Sequence, residues 1–194
     1  MAQAPLTAEE LAEIERKFDP ESAFRSTGPW IGAVITAGLV AMSVYHFYAS
    51  GFALIQELTH RGIHLSFVLG LVFLLFSWRK SLSTDIAPRA WYRVDGVPIT
   101  DILLALLGIG AAMYLPLLPS AALAQRVGNP SPGDVFMGTA LLLLTLEASR
   151  RSVGITLPLI GLAFIGFALF GPYMPGALKH GGASWSGMIN HLYM

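Results

Sequence analysis

The chain has 194 residues, of which 54% are hydrophobic and 12% are charged, and its 12 basic residues balance 12 acidic ones. A soluble domain usually contains about 25% charged residues. The composition therefore excludes an ordinary soluble domain, a disordered chain and a basic nucleic-acid-binding protein. The absence of cysteine excludes disulfides, thiol nucleophiles and iron–sulfur ligands. The sequence predicts a small all-α integral membrane protein.

The N-terminal segment, residues 1–29, lacks the pattern of a cleaved signal peptide, because it begins with an acidic stretch rather than a basic one. Residues 7–10 have the Thr-x-x-Glu pattern of a capping box, and Leu11, Ile14 and Phe18 follow at helical spacing. We expect a cytoplasmic leader with a short amphipathic helix. A solvated leader that frays is the alternative.

Five apolar runs follow, and a helix needs about 20 mostly apolar residues to cross a bilayer. The runs cover residues 30–53, 63–78, 99–118, 134–149 and 152–170. The second and fourth are short, so either one fits a tilted, buried or partly re-entrant helix. We expect a bundle of five transmembrane helices within residues 30–176, with four as the alternative.

The positions of the basic residues predict the orientation of these helices. Alternate connecting segments hold nine Lys and Arg residues against three in the others. Because cytoplasmic loops are enriched in Lys and Arg, this places the N-terminus in the cytoplasm and the C-terminus outside. The nine are Arg16, Lys17, Arg25, Arg79, Lys80, Arg89, Arg93, Arg150 and Arg151, and the three are Arg61, Arg126 and Lys179. We expect residues 177–194 to form a tail on the periplasmic side.

Three histidines, His46, His60 and His64, lie near the predicted outer ends of the first two helices. Histidines that face each other from neighbouring helices serve as axial haem ligands in membrane-anchor cytochromes. Ordinary hydrogen bonding at the membrane interface is the alternative for all three.

The carboxylates of the predicted spans lie near the helix ends. Asp101 and Asp134 fall in first turns, where a negative charge complements the helix dipole. Glu147 precedes Arg150 and Arg151 by three and four residues, so we expect an ion pair that closes the fourth helix. No carboxylate falls at mid-membrane, so the sequence predicts no ion pathway in this chain.

Small residues in the spans recur at spacings that let helices approach closely. They are Ala33, Ala37, Ala41, Gly108, Ala112, Gly161 and Gly166. We expect the bundle to pack closely against itself or against a partner.

Several local patterns resemble the N-terminal membrane region of fused TRAP transporter permeases of the type that works with TAXI-type periplasmic binding proteins. The most specific is Leu-Glu-Ala-Ser-Arg-Arg-Ser-Val-Gly at residues 146–154, similar to a family Leu-Glu-Ala-x-Arg-Arg-x-x-Gly signature. Arg61-Gly-Ile-His64-Leu resembles the family's Arg-x-Ile-His-Leu. Weaker similarities are Trp91-Tyr92, Val97-Pro98 with Asp101, residues 130–134, residues 170–176 and Leu192-Tyr193.

The resemblance implies that the chain is the small (Q-type) membrane subunit or domain of a sodium-coupled TRAP transporter for organic acids in a bacterial or archaeal inner membrane. In that family the small domain is a static scaffold beside a large (M-type) elevator domain, and a periplasmic protein delivers the substrate. It implies no enzymatic activity and no cofactor. The candidate structural or interaction residues are Arg61, His64, Glu147, Arg150 and Arg151. A haem-bearing membrane anchor of an oxidoreductase and a non-transporting assembly factor are the alternative functions.

Overall fold

The computed structural model describes residues 24–78 and 92–194 and is mostly helical. The expected amphipathic helix of the leader, including Thr7 and Glu10, and the loop residues 79–91 lie outside the described residues. The helices are α1 (Pro29–Gly51), α2 (Glu57–Leu75), α3 (Ile99–Tyr114), α4 (Ser120–Arg126), α5 (Pro132–Ser152), α6 (Thr156–Phe170) and α7 (Trp185–Tyr193). Two short antiparallel strands, β1 (Arg93–Val94) and β2 (Val97–Pro98), precede α3.

Each of the five predicted apolar runs overlaps a helix, namely α1, α2, α3, α5 and α6. Among the described residues, three helices are long and apolar enough to cross a membrane: α1, α2 and the segment Thr156–Tyr173, which is α6 with its following 3-10 turn. Helix α3 is apolar but has 16 residues, and α5 has 21 residues but contains four charged ones. The structure is therefore compatible with a membrane protein.

The β-hairpin before α3 is formed by an Asp-Gly turn and fixes the start of α1. Asp95 and Gly96 have φ angles of 50° and 88°, which an Asp-Gly pair adopts readily in a tight hairpin. The Asp95 carboxylate accepts a hydrogen bond from the backbone N–H of Ile31 at 2.7 Å, and its carbonyl accepts one from Gly28 at 2.9 Å. The hairpin thus supplies the N-terminal cap that α1 lacks in its own sequence.

Helix α5 begins with a complete cap, and the predicted first-turn position of Asp134 is confirmed. Ser131 is the N-cap, and its hydroxyl accepts a hydrogen bond from the backbone N–H of Asp134 at 3.2 Å. The Asp134 carboxylate accepts one from the backbone N–H of Ser131 at 2.7 Å, which completes a capping box. Pro132 occupies the first turn, where its missing N–H costs nothing.

The core of the bundle lies between α2, α3 and α5, where Leu69, Phe73, Ala105, Leu144 and Ala148 are buried together. Small residues on α2 and α3 bring these two helices close, as predicted for α3. A Cβ atom on Gly108 would lie 3.0 Å from that of Leu69. One on Gly62 would lie 2.8 Å from the carbonyl oxygen of Ala112 and 2.5 Å from Pro116.

The C-terminal segment folds back onto the bundle through α7. Met188 and Ile189 are buried, and a Cβ atom on Gly138 of α5 would lie 2.5 Å from Ile189 and 2.8 Å from the Tyr193 ring. The Tyr193 hydroxyl donates a hydrogen bond to the Ala111 carbonyl at 2.6 Å. Burial raises the pKa of Tyr193 well above the usual tyrosine value. The segment expected as a tail therefore contains a packed helix.

Candidate functional site

A network of five charged side chains lies at one end of the bundle and is called the ion network below. It consists of Arg25, Asp101, Glu147, Arg150 and Arg151. These residues come from the segment before α1, the first turn of α3 and the last turns of α5. The network therefore joins three segments that are distant in sequence.

Asp101 is the centre of the ion network. One carboxylate oxygen, Oδ2, accepts a short hydrogen bond from Nη2 of Arg25, and the other, Oδ1, accepts one from Nη1 of Arg151 at 2.9 Å. The side chains of Arg25 and Asp101 are 5% exposed and that of Arg151 is 1% exposed. The carboxylate thus pairs with two buried guanidinium groups at once, because each of its oxygens contacts one of them.

Glu147 extends the ion network along one face of α5. Its Oε1 accepts a hydrogen bond from Nε of Arg151 at 2.6 Å, and its Oε2 accepts one from Nε of Arg150 at 2.7 Å. The guanidinium of Arg150 also stacks on the Trp78 ring at 4.5 Å, and that of Arg151 lies 5.0 Å from the Phe73 ring. The predicted pairing of Glu147 with both arginines is confirmed.

The end of α2 supplies backbone acceptors to the same arginines. The helix ends because Phe76 is extended and its backbone bridges that of Phe24. The carbonyl oxygen of Phe76 accepts hydrogen bonds from Arg25 and Arg151, both at 3.3 Å. Cations at a helix C-terminus are favourable because the unpaired carbonyls there bear partial negative charge.

The electrostatics of Arg25 follow from this setting. Burial lowers the pKa of Arg25, the hydrogen bond and charge of Asp101 oppose that effect, and the charges of Arg151 and Arg93 add to the lowering. The ion network contains three arginines and two carboxylates, so its positive charge exceeds its negative charge. It holds helices together but contains no free base or acid for proton transfer among the described residues.

The histidines form a second cluster at the opposite end of the same helices. Nε2 of His46 and Nδ1 of His64 are 2.9 Å apart, and Nδ1 of His60 is 3.0 Å from the Tyr45 hydroxyl. The second ring nitrogen of His46 is 2.7 Å from the Met42 carbonyl. These contacts agree with the alternative given for the histidines, which is ordinary hydrogen bonding. Within residues 24–78 and 92–194, no group of three potential ligands is arranged to hold a metal ion.

Arg61 and His64 lie apart from the ion network. Arg61 pairs with Glu57 at 3.3 Å one helical turn away, and both side chains are mostly exposed, at 66% and 81%. His64 is an exposed member of the histidine cluster. The structure thus brings Glu147, Arg150 and Arg151 together and separates Arg61 and His64 from them.

A separate ion pair between Arg126 and Asp134 closes the turn between α4 and α5. Nη1 of Arg126 donates to the Asp134 carboxylate at 2.9 Å and to the Tyr114 hydroxyl at 3.3 Å. These hydrogen bonds, with Tyr114 first, raise the pKa of Arg126. Asp134 is 1% exposed, so its charge is compensated within the fold.

Sequence analysis missed the contribution of Arg25 and Asp101 to the site. Asp101 was assigned to the helix dipole, and its first-turn position is confirmed, but its burial between two arginines was not predicted. A carboxylate in the first turn of a strongly apolar helix, with arginines in the segments predicted on the same side, is the signal that points to such a pair.

Comparisons with protein-family models, with curated proteins and with solved structures give no match to this chain.

Proposed function

We propose that the chain is the small membrane subunit or domain of a sodium-coupled TRAP transporter for organic acids, a scaffold for a large elevator-type domain. The observation that carries the proposal is the position of its most family-like segment, residues 146–154. That segment contributes Glu147, Arg150 and Arg151 to the ion network. We expect the signature of a scaffold family to include the residues that hold its helices in fixed positions.

The pairing of the helix carboxylates supports a scaffold that does not itself transport ions. In the described helices, each of the four carboxylates forms an ion pair with an arginine. A sodium or proton relay needs a carboxylate that can exchange its partner inside the membrane. The four paired carboxylates of the described helices are Glu57, Asp101, Asp134 and Glu147.

The exposed small residues of α1 support a partner in the membrane. Helix α1 approaches α2 at Gly38, where an added Cβ atom would lie 3.0 Å from Leu71. Ile35 is buried, whereas Ala33, Ala37 and Ala41 are exposed. Small residues at this spacing let a second helix approach closely. A helix of the large domain is the partner that fits the proposal.

The proposed topology has five spans, a cytoplasmic N-terminus, a periplasmic C-terminus and a multi-pass location in a bacterial or archaeal inner membrane. Single cysteines can test it without background, because the chain has none. Leu54, Val127 and Val153 are exposed positions in three connecting segments. An impermeant thiol reagent added to sealed cells should label cysteines at Leu54 and Val127 but not at Val153. Labelling at Val153 would refute the topology.

The function is tested by purifying the tagged chain from its native membrane and identifying what it is joined to. We expect a large TRAP-type membrane domain, either covalently continuous with the chain or co-purifying with it. Reconstituted with that domain and a TAXI-type binding protein, it should support sodium-driven uptake of an organic acid, and the chain alone should not. A visible haem spectrum, or uptake by the isolated chain, would refute the proposal.

A matched pair of variants tests the interface on α1. Ala37→Trp places a bulky ring on the small-residue face and should reduce recovery of the large domain. Leu39→Trp is the control, since it lies two residues away, about 200° around the helix. Equal recovery with both variants would show that this face of α1 contacts lipid rather than a partner.

A further inference from the structure

A cavity of about 320 Å³ opens beside the ion network. Its lining includes three arginines, Arg25, Arg93 and Arg151, and the Asp101 carboxylate that pairs with the first and last of them. Trp78 and Leu104 are among its apolar lining residues. Its volume is at the lower end of the range of about 300–1,000 Å³ that is usual for small-ligand pockets. The cavity therefore has room for a compact polar group and an apolar wall beside it.

Two buried donors of these arginines have no acceptor within the described part of the chain. They are Nη1 of Arg25 and Nε of Arg93. Arg25 is held in place through its other terminal nitrogen, Nη2, by Asp101 and the Phe76 carbonyl, and its side chain is 5% exposed. A buried donor without an acceptor is unfavourable, and a ligand with several acceptor oxygens removes that penalty.

Among the residues that the structure describes, the charge around the cavity is positive. The ion network and Arg93 together provide four guanidinium groups and two carboxylates. Arg93 forms no ion pair among residues 24–78 and 92–194, and its guanidinium lies 5.9 Å from the centre of the Tyr92 ring. An uncompensated positive charge in a partly buried site favours the binding of an anion.

We propose that this cavity binds a phosphate group, presented by the headgroup of an anionic phospholipid. Guanidinium groups bind phosphate through paired, charge-assisted hydrogen bonds. The cavity lies where α2 and α5 end and α3 begins, which is the level of lipid headgroups if these helices span a bilayer. Trp78 and Leu104 supply the apolar surface that the glycerol and upper acyl region of a lipid contacts.

The proposal is tested with the delipidated protein in uncharged detergent micelles. Phosphatidylglycerol, phosphatidylcholine and inorganic phosphate are titrated separately, and the thermal midpoint gives an apparent Kd for each. We expect phosphatidylglycerol to stabilise the protein at low concentration. Arg93→Gln should raise its apparent Kd about tenfold, the effect of losing one strong interaction. The matched control Arg61→Gln removes an exposed arginine at the other end of α2 and should leave the Kd unchanged.

Two further measurements keep the test decisive. Arg93→Lys retains the charge but not the Nε donor, so it should give an intermediate Kd. It replaces Arg93→Gln in the test if that variant lowers the yield of folded protein. Stabilisation by inorganic phosphate with the same dependence on Arg93 would support the phosphate site and identify free phosphate as its source. Equal stabilisation by phosphatidylcholine, or a Kd for phosphatidylglycerol that Arg93→Gln and Arg93→Lys leave unchanged, would overturn the proposal.

Discussion

Replacing Asp101 with asparagine is the most direct test of the ion network. Asp101→Asn keeps the shape of the side chain but removes the charge that compensates Arg25 and Arg151. It also presents an amide N–H₂ to one of the two guanidinium groups. Removing one partner of a buried ion pair costs about 3–5 kcal/mol, because the other charge stays buried without compensation. We expect Asp101→Asn to reduce the free energy of unfolding by that amount.

The measurement is reversible unfolding in mixed micelles with increasing sodium dodecyl sulfate, followed by tryptophan fluorescence and helical circular dichroism. The matched control is Glu57→Gln, which removes the carboxylate of the exposed pair with Arg61. Exposed ion pairs contribute about 0.2–1 kcal/mol. Both variants remove one negative charge from a first-turn carboxylate. The difference between their losses in free energy of unfolding therefore measures the effect of burying the ion pair.

A double-mutant cycle separates the ion network from other effects at Asp101. Arg25→Gln alone leaves Asp101 paired with Arg151, so we expect it to cost less than Asp101→Asn. In the double variant the costs should not add, because contacting residues usually show a coupling of about 0.5–3 kcal/mol. Additive costs, or a loss of stability in Asp101→Asn no larger than in Glu57→Gln, would refute the interpretation of Asp101 as the centre of the network.

Substitutions at four other positions have expected outcomes in the same unfolding assay. Arg151→Ala should cost about 3 kcal/mol because it removes one buried partner from both Asp101 and Glu147, each of which keeps one other arginine. Arg150→Ala, at the partly exposed edge, should cost about 1 kcal/mol, and equal losses would contradict this ranking. Gly138→Ala should cost about 1–3 kcal/mol and release α7, because the added Cβ would lie 2.5 Å from Ile189; limited proteolysis of the C-terminal segment detects the release, and an unchanged digestion pattern would count against it. Ser131→Ala should cost about 1 kcal/mol through loss of the α5 cap, with Ser131→Asn, which preserves a capping oxygen, close to wild type.

Local patterns predicted the helices of the apolar runs. The five apolar runs each correspond to a helix, and the first-turn position of Asp134 and the pairing of Glu147 with Arg150 and Arg151 are confirmed. These features depend on neighbours along the chain, so hydropathy and helical periodicity are sufficient to find them.

Contacts between distant segments were not predictable in the same way. Asp101 is 76 residues from Arg25 and 50 residues from Arg151, and no periodicity links them. The docking of the Asp95 hairpin on α1 and of α7 on α5 likewise depends on three-dimensional packing. Helix α2 begins at Glu57, six residues before the predicted run, because hydropathy detects the apolar part of a helix and not its polar first turn.

In the proposed topology, the arginines of the ion network have two roles. They orient the helices during insertion, and they are buried at the helix ends after the helices pack. During insertion, Lys and Arg determine which segments remain in the cytoplasm, whereas Asp and Glu contribute little to that choice. Arg25, Arg150 and Arg151 therefore count fully toward the proposed orientation, although Asp101 and Glu147 compensate most of their charge once the helices pack. An apolar core at this position would avoid the cost of burying charges, but it would also remove three of the nine basic residues on which the orientation depends. Pairing the arginines with carboxylates preserves the topological signal and still allows the helix ends to be buried.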